Sequence, residues 1–470
     1  MKYLKIENPG VAPSECFTLL GCSTSRYSSN QDVSGQFGSG LKHAVNVLLS
    51  RALNPVIYCG NLSLEYFLKP ITVNDDIDIH SFHQVCVKKI GKTDEGRTVN
   101  RTEELSWTLD HGSLSWTDVS MACREFLSNA IDRCVKSGDL GKLVIEVVEE
   151  NQVRAKKGHT RIFLPYSPDV VKFHLEIEKR FLNMEKITPL GVMDKKCRNL
   201  NSEGAMIYRK GVLVKETKNN CRSVFDYNLG EELEIDECRN SDEYTILYCA
   251  SLYVLLKSSY AQKVTFLSQL LSDKAPASWE ESLTVYGASG IWENCRETII
   301  KHKEEWKKAW QEVAGNKTIL LDSPKPEGLL SAKGLRPVYS KSHGWYFLFN
   351  NMGLNTGDNL LTEDEKIGRY VKEAGDTLIQ EVEVVWQWMQ KKGLTQDKNK
   401  PEIKEFTQDG LTEYGYYKDN TIFINSVVVG NGVLCTAVIF EELVHYVTGL
   451  QDYSLKLQQY LFHLIAQYIR

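Results

Sequence analysis

Two short stretches carry residue types that could do chemistry together. Ser34–Lys42 reads S-G-Q-F-G-S-G-L-K, and Glu125–Asp132 reads E-F-L-S-N-A-I-D. In the first, Gly35, Gly38 and Gly40 stand directly before Leu41, Ala44, Val45, Leu48, Leu49 and Ala52, apolar residues at helical spacing. Glycines let the backbone pass close to a ligand. The N–H groups and dipole of the helix's first turn then favour a phosphate, and Lys42 adds a point charge. In the second stretch, Glu125, Asn129 and Asp132 fall at i, i+4 and i+7, so they form one polar ridge. An amide oxygen suits a magnesium ion and a carboxylate suits a base that orients water, which together equip a site for hydrolysing a nucleoside triphosphate. Each motif also has an ordinary reading: a glycine-rich turn before a packing helix, and the solvated flank of another helix.

The elements that must position these residues are legible in outline. Strand-like runs at Asn54–Phe67, Ile79–Ile90 and Thr102–Leu109 separate the two helices. Asp118 is in place to cap the second helix, whose apolar stripe runs through Val119, Ala122, Cys123, Phe126, Leu127, Ala130, Ile131 and Cys134. Leu20–Ser34, small and rich in hydroxyls, has the composition of a lid over a nucleotide and also of any flexible loop. Further on, Ala205–Glu216 alternates like strands, Tyr244–Leu256 reads as a buried helix and Trp292–Val313 as a charged surface helix. Thr318–Pro326 reads as a strand entering a turn, Glu363–Lys391 as a long helix and Asn420–Asn425 as a strand. The expected domains are 1–160, 161–275, 276–360 and 361–470. The expected class is α/β and α+β, multidomain.

With 42% hydrophobic and 25% charged residues over 470 positions, the chain can bury full cores. A formal net charge of -5 gives no global attraction to nucleic acid or membrane, and the basic clusters are short. The apolar run Ile246–Leu256 is too short to span a bilayer, and Glu7, Pro9 and Glu15 interrupt any leader-like segment, so a cytoplasmic location is expected. Twelve scattered cysteines contain no C-x-x-C pair, which argues against a zinc knuckle and leaves reduced, buried thiols as the expectation.

On these residues the chain resembles the GHKL, or Bergerat-fold, ATPase superfamily, which includes large heat-shock chaperones, gyrase B, MutL, MORC proteins and histidine kinases. Glu125-x-x-x-Asn129-x-x-Asp132 matches the family's N-box, and Gly35–Gly40 its later glycine box, with Lys42 as in MORC-like members. Ile6–Glu15, I-E-N-P-G-V-A-P-S-E, is similar to the box that supplies the adenine-binding acid, with Glu7 for the usual aspartate and Pro9 and Val11 for two glycines. Here the acid box and glycine box precede the N-box, the reverse of the usual order. That order resembles a circular permutation, which is physically cheap when termini lie close at a surface.

The resemblance covers roughly residues 1–165. It implies a Bergerat α/β sandwich, a mixed sheet with helices on one face, that binds ATP and Mg²⁺. It implies Glu125 as catalytic residue, Asn129 as magnesium ligand, and nucleotide contacts from Glu7, Asn8, Ser23, Thr24, Gly35, Gln36, Phe37, Gly38, Ser39, Gly40, Leu41, Lys42, Asn129, Asp132 and Thr160. Thr160 resembles the threonine on the family's closing strand. The region 161–275 would be transducer-like, and slow hydrolysis would drive a conformational switch felt by a protein partner or by a second copy in a homodimer.

At the far end, Thr436–His445 reads T-A-V-I-F-E-E-L-V-H before Gly449. Strand, turn and helix there resemble a degenerate zincin metalloprotease core, in which Glu441 replaces the first histidine of H-E-x-x-H. Glu441, His445 and Asp452 are the alternative metal ligands. Three functions are therefore open: a GHKL-type ATPase, an ATP-gated scaffold without hydrolysis, and a metal-dependent hydrolase at the E-E-x-x-H segment.

Overall fold

A computed structural model describes residues 1–22, 34, 39–74, 78–93, 96–110, 118–195, 204–217, 222–235, 244–272, 277–284, 288–322, 330, 333–361, 369–395, 398–408, 413–450 and 454–469. The chain divides into two compact units, Met1–Ala309 and Trp310–Arg470. It is mixed α/β, and no helix among the described residues is long and apolar enough to cross a membrane.

The first unit is built on a seven-stranded sheet. Its strands are β1 (Lys2–Pro9), β2 (Val56–Cys59), β3 (Leu62–Asn74), β4 (Ile79–Lys92), β5 (Thr98–Thr108), β6 (Val144–Glu149) and β7 (His159–Pro165), in the order β5-β4-β3-β2-β7-β1-β6. All the described pairings in it are antiparallel, whereas a mixed sheet was expected. β7 enters between β2 and β1, so the layer continues past the expected boundary at residue 160 to Pro165.

Alternation along these strands sorts the faces. Leu4 and Ile6 lie opposite Leu164 and Ile162, and Ile57 lies opposite Ile162 and Leu64, all of them buried on one face. Among the helices that accompany the sheet are α1 (Glu15–Thr18), α2 (Gly40–Ser50) and α3 (Val119–Ser137). The apolar stripes read from the sequence are what α2 and α3 bury: Ala44, Val45 and Leu48 from one, and Ala122, Cys123, Phe126, Leu127 and Cys134 from the other, share a core with the sheet. α2 packs on α3, and α3 packs on β1.

Asp118 caps α3 as its sequence position implies, its side chain accepting from Ser120 N–H at 2.7 Å, and Gly138 closes the helix in the left-handed conformation. Asp118→Ala leaves that donor unpaired and is expected to cost about 1 kcal/mol. Denaturant titration measures it; an unchanged midpoint would mean that the cap carries no stability.

Beyond the large sheet, β8 (Gly191–Asp194), β9 (Met206–Arg209), β10 (Val212–Glu216) and β11 (Phe225–Leu229) form a smaller mixed sheet in the order β10-β9-β11-β8. It is anchored by Glu280, fully buried, which accepts from Ser223 Oγ at 2.6 Å, Val224 N–H at 3.0 Å, Phe225 N–H at 3.1 Å and Tyr227 Oη at 3.2 Å. The helices expected at Tyr244–Leu256 and around Trp292–Val313 are present, the second spanning Ala288–Ala314.

In the second unit, β12 (Thr318–Leu321) pairs in parallel with β13 (Arg336–Tyr339). A four-stranded sheet follows, of β14 (Arg369–Glu373), β15 (Glu402–Gln408), β16 (Gly415–Lys418) and β17 (Thr421–Asn425), in the order β14-β15-β17-β16. The helices Asp376–Lys391 and Gly432–Thr448 share its core through Leu378, Val382, Trp386, Ile439 and Leu443. One expectation is corrected: within the run read as one helix, Glu363–Lys391, Arg369–Glu373 is a strand and the helix that ends at Lys391 starts at Asp376, while residues 363–368 lie outside the described residues. The cause is tertiary. Pairing with β15 aligns Arg369 with Gln408, and the guanidinium sits 4.0 Å from the Tyr416 ring centroid and 4.9 Å from that of Phe406.

Candidate functional site

The two chemistry-bearing segments meet. α2 begins at Gly40 with no acidic residue in its first turn and no side-chain cap from Ser39, whose hydroxyl oxygen is buried without a hydrogen-bond partner among the described residues. A Cβ on Gly40 would fall 2.6 Å from Glu125 Oε2, so the start of α2 rests against the carboxylate of α3, and only glycine permits that approach. Glu125 is buried, with Oε1 3.6 Å from Arg124 Nε. One turn on, Asn129 Nδ2 donates to the Glu125 carbonyl at 2.7 Å. The amide nitrogen is thus spent on the helix's own backbone, and the oxygen, the atom a magnesium ion would take, is outside that bond.

Further along the same ridge, Asp132 Oδ1 accepts from both the backbone N–H (2.8 Å) and the hydroxyl (3.0 Å) of Ser34. The residue that introduces the glycine run is therefore tied to the N-box-like segment across 98 positions of sequence. Lys42 is buried, and its ammonium donates to the Cys22 carbonyl at 3.2 Å. Burial pushes its pKa down, with the neighbouring Cys22 and Cys16 acting the other way. Leu41 packs in the core.

The exit of β1 reaches the other end of α3. Gly10 is left-handed (φ +85°), and a Cβ there would fall 2.9 Å from the Arg133 guanidinium. Thr160 Oγ1 donates to the Gly10 carbonyl and accepts from Ala12 N–H, both at 2.9 Å, which fixes this turn. Asn8, buried and directly opposite Thr160, shares the face of Leu4 and Ile6 that the helices cover.

Glu7 does not join this cleft. By strand alternation it faces the other side of the sheet, where Arg161 Nε lies 2.8 Å and Lys5 Nζ 3.4 Å from Oε2, and Lys156 pairs with Oε1. Burial opposes ionisation of Glu7, but Lys156, Arg161 and Lys5 together outweigh it and hold its carboxyl below the usual range. A carboxyl depressed in the folded state contributes stability above its unfolded value near 4.5, and that contribution is lost as pH falls through the folded value. Glu7→Gln is therefore expected to lower the thermal midpoint at neutral pH and to converge on the parent at acid pH. A constant gap at all pH values would contradict this.

Ser23, Thr24, Gly35, Gln36, Phe37 and Gly38, expected at the phosphates, lie outside the described residues, as does Asp452. In the second unit Glu441 is exposed, whereas Glu442 and His445 are buried. His445 Nδ1 bonds the Leu450 carbonyl at 2.6 Å, and a Cβ on Gly415 would fall 3.0 Å from Glu442 Cγ. Among the described residues no group of three or more His, Cys, Asp or Glu could hold a metal ion.

Sequence reasoning missed Ser34, Arg133 and the cysteines around Lys42. Ser34 alone had a signal, its place at the head of the glycine run. Comparison with known proteins finds no family model that matches this chain, and no curated protein matches it either.

Proposed function

We propose that the first unit carries a permuted Bergerat-type site that binds ATP with Mg²⁺ and hydrolyses it slowly, as a conformational switch. One observation carries the reading: two segments far apart and transposed in the chain meet where Gly40 approaches the Glu125 carboxylate. The first turn of α2, with Ser39 and Lys42, would hold phosphates through backbone N–H groups, helix dipole and ammonium charge. Asn129 would hold Mg²⁺, whose contribution when bound is to neutralise phosphate charge. Glu125 orients a water and takes its proton. Glu125 is buried beside the first turn of α2, which fixes where its carboxylate stands. Of the acid-box residues, Asn8 rather than Glu7 lies on the face that α3 covers, and with Thr160 it is assigned to the base end.

A protein partner or a second copy would receive the switch, and a cytoplasmic location belongs to the same reading. The likeness of Gly432–Thr448 to a zincin helix is one of layout, and no metal chemistry is proposed for it. Calorimetric titration with a non-hydrolysable ATP analogue, with and without Mg²⁺, tests the proposal. Saturable binding strengthened by Mg²⁺ is expected; no binding under either condition would overturn it.

A further inference from the structure

β3 and β4 run on past their neighbours in the large sheet. β2 pairs with β3 only as far as Glu65, and β5 pairs with β4 no further than Gln84 opposite Thr108, yet β3 and β4 stay paired out to Asn74 and Ile79. Beyond Leu68 and buried Val85 they leave the core as a two-stranded ribbon, Lys69–Asn74 against Ile79–Gln84. Its helix-side residues Pro70, Thr72, Ser81 and His83 are exposed, as is Val73 on the other face. A two-stranded ribbon is marginal in water, whereas three or more strands with a shared apolar face are not.

Backbone direction distinguishes the ribbon's two edges. Leu109 N–H donates to the His83 carbonyl at 2.8 Å, so His83 turns its N–H and C=O away from β3, and by alternation Ser81 and Ile79 do the same. Over Ile79–Ser81 no described strand covers that edge. On the β3 edge, Pro70 stands opposite His83 and turns outward a nitrogen that carries no hydrogen. Proline and lysine are residues that blunt a sheet edge, and Lys69 and Pro70 supply both to β3; β4 from Ile79 to Val87 has no proline and no Lys, Arg, Asp or Glu.

We propose that the Ile79–His83 edge of β4 pairs with the same edge of a second copy of this chain, antiparallel about a two-fold axis at Ser81. Such pairing is isologous: Ser81 meets Ser81 of the second copy, Ile79 meets His83, and His80 meets Phe82. The two Ser81 residues exchange both N–H···O bonds, and each His83 N–H meets an Ile79 carbonyl, so what the edge offers is satisfied by its own counterpart. Side chains agree. On the face away from the helices, Ile71 lies opposite Phe82 and Val73 opposite His80, so pairing spreads this strip over four strands and sets an aromatic ring across from each His80. Charge agrees too. Ile79–Val87 has no carboxylate or fixed cation to repel its copy, and on the outer face Lys69 and Glu104 pair with each other at 2.6 Å, leaving no positive field for nucleic acid or an anionic membrane. Five residues a side bury well under the about 800 Å² per partner of a stable interface, so the dimer is a weak one, with Kd on the order of 100 µM. Its part as receiver of the conformational switch rests on the nucleotide reading; the pairing itself does not.

Sedimentation velocity of the full-length protein without nucleotide, from about 1 to about 500 µM, is expected to show monomer passing to dimer. Amide exchange in peptides covering Ile79–His83 is expected to slow over the same range. A monomer at every concentration, or a dimer with unchanged exchange there, would overturn the proposal. Ser81→Pro removes the central donor at an edge position that accepts proline, and is expected to abolish the dimer. Ser81→Lys and Ser81→Glu leave the backbone intact. Each alone sets like charges opposite one another at the axis and weakens association several-fold, and an equimolar mixture of the two restores it. Association of the charge variants equal to the parent's, or no recovery on mixing, contradicts pairing at Ser81. ATP-analogue titration of the parent separates the two readings. Dimer without nucleotide binding leaves the edge pairing and removes the switch; binding by a protein that stays monomeric leaves the nucleotide site and removes the pairing.

Discussion

Glu125→Ala is expected to abolish phosphate release from ATP while sparing binding of the nucleotide. The carboxylate is buried against the first residue of α2, and Arg124 Nε lies 3.6 Å from it. A positioned general base contributes about 10²–10⁴-fold to such a step, so its removal takes slow turnover below detection. On the proposed reading nucleotide affinity would rest instead on the α2 first turn, Lys42 and a metal at Asn129, none of which the substitution deletes. Glu125→Gln keeps the volume and one acceptor, and separates loss of the base from damage to a buried position. Phosphate release and calorimetric titration on both variants decide the matter. If binding persists and phosphate release is as low in the parent as in the variants, the protein is an ATP-gated scaffold without turnover.

Gly40→Ala is expected to lower turnover on the order of 100-fold, because a misplacement of about 1 Å at a reacting group has that effect. The added Cβ would fall 2.6 Å from Glu125 Oε2, and the contacting atom is the end of a flexible side chain, so the carboxylate moves and the backbone does not. Gly40 is the first residue of α2 and only the Glu125 side chain has to give way, so the thermal midpoint should change little. Activity then falls without a matching loss of stability. A fall in stability with turnover unchanged would mean that the Gly40–Glu125 contact serves packing alone.

The periodicities of α2 and α3 are local properties of the chain. Apolar residues at 3.6-residue spacing, an aspartate at 118 and a glycine at 138 require no knowledge of the rest of the molecule, and the helices form where those residues stand. Chemical type is local too, which is why an amide and two carboxylates on one ridge were legible before any contact was known. Strand pairing is not local. Arg369–Glu373 carries residues that a helix accepts equally well, and only β15 alongside, with Tyr416 and Phe406 under the guanidinium, makes it a strand.

Which side of a strand a residue faces, and what waits there, is likewise a tertiary outcome. Glu7 and Asn8 are adjacent in the acid box, yet pleating sends Glu7 to three cations on the outer face and Asn8 beneath the helices. Antiparallel pairing throughout the large sheet, Ser34 bound to Asp132, and Lys42 turned to the Cys22 carbonyl all depend on segments brought together from distant positions. The linear order names the groups that can react; the packing of α2 on α3 over β1 selects which of them meet, because burial and hydrogen bonding are settled by neighbours in space.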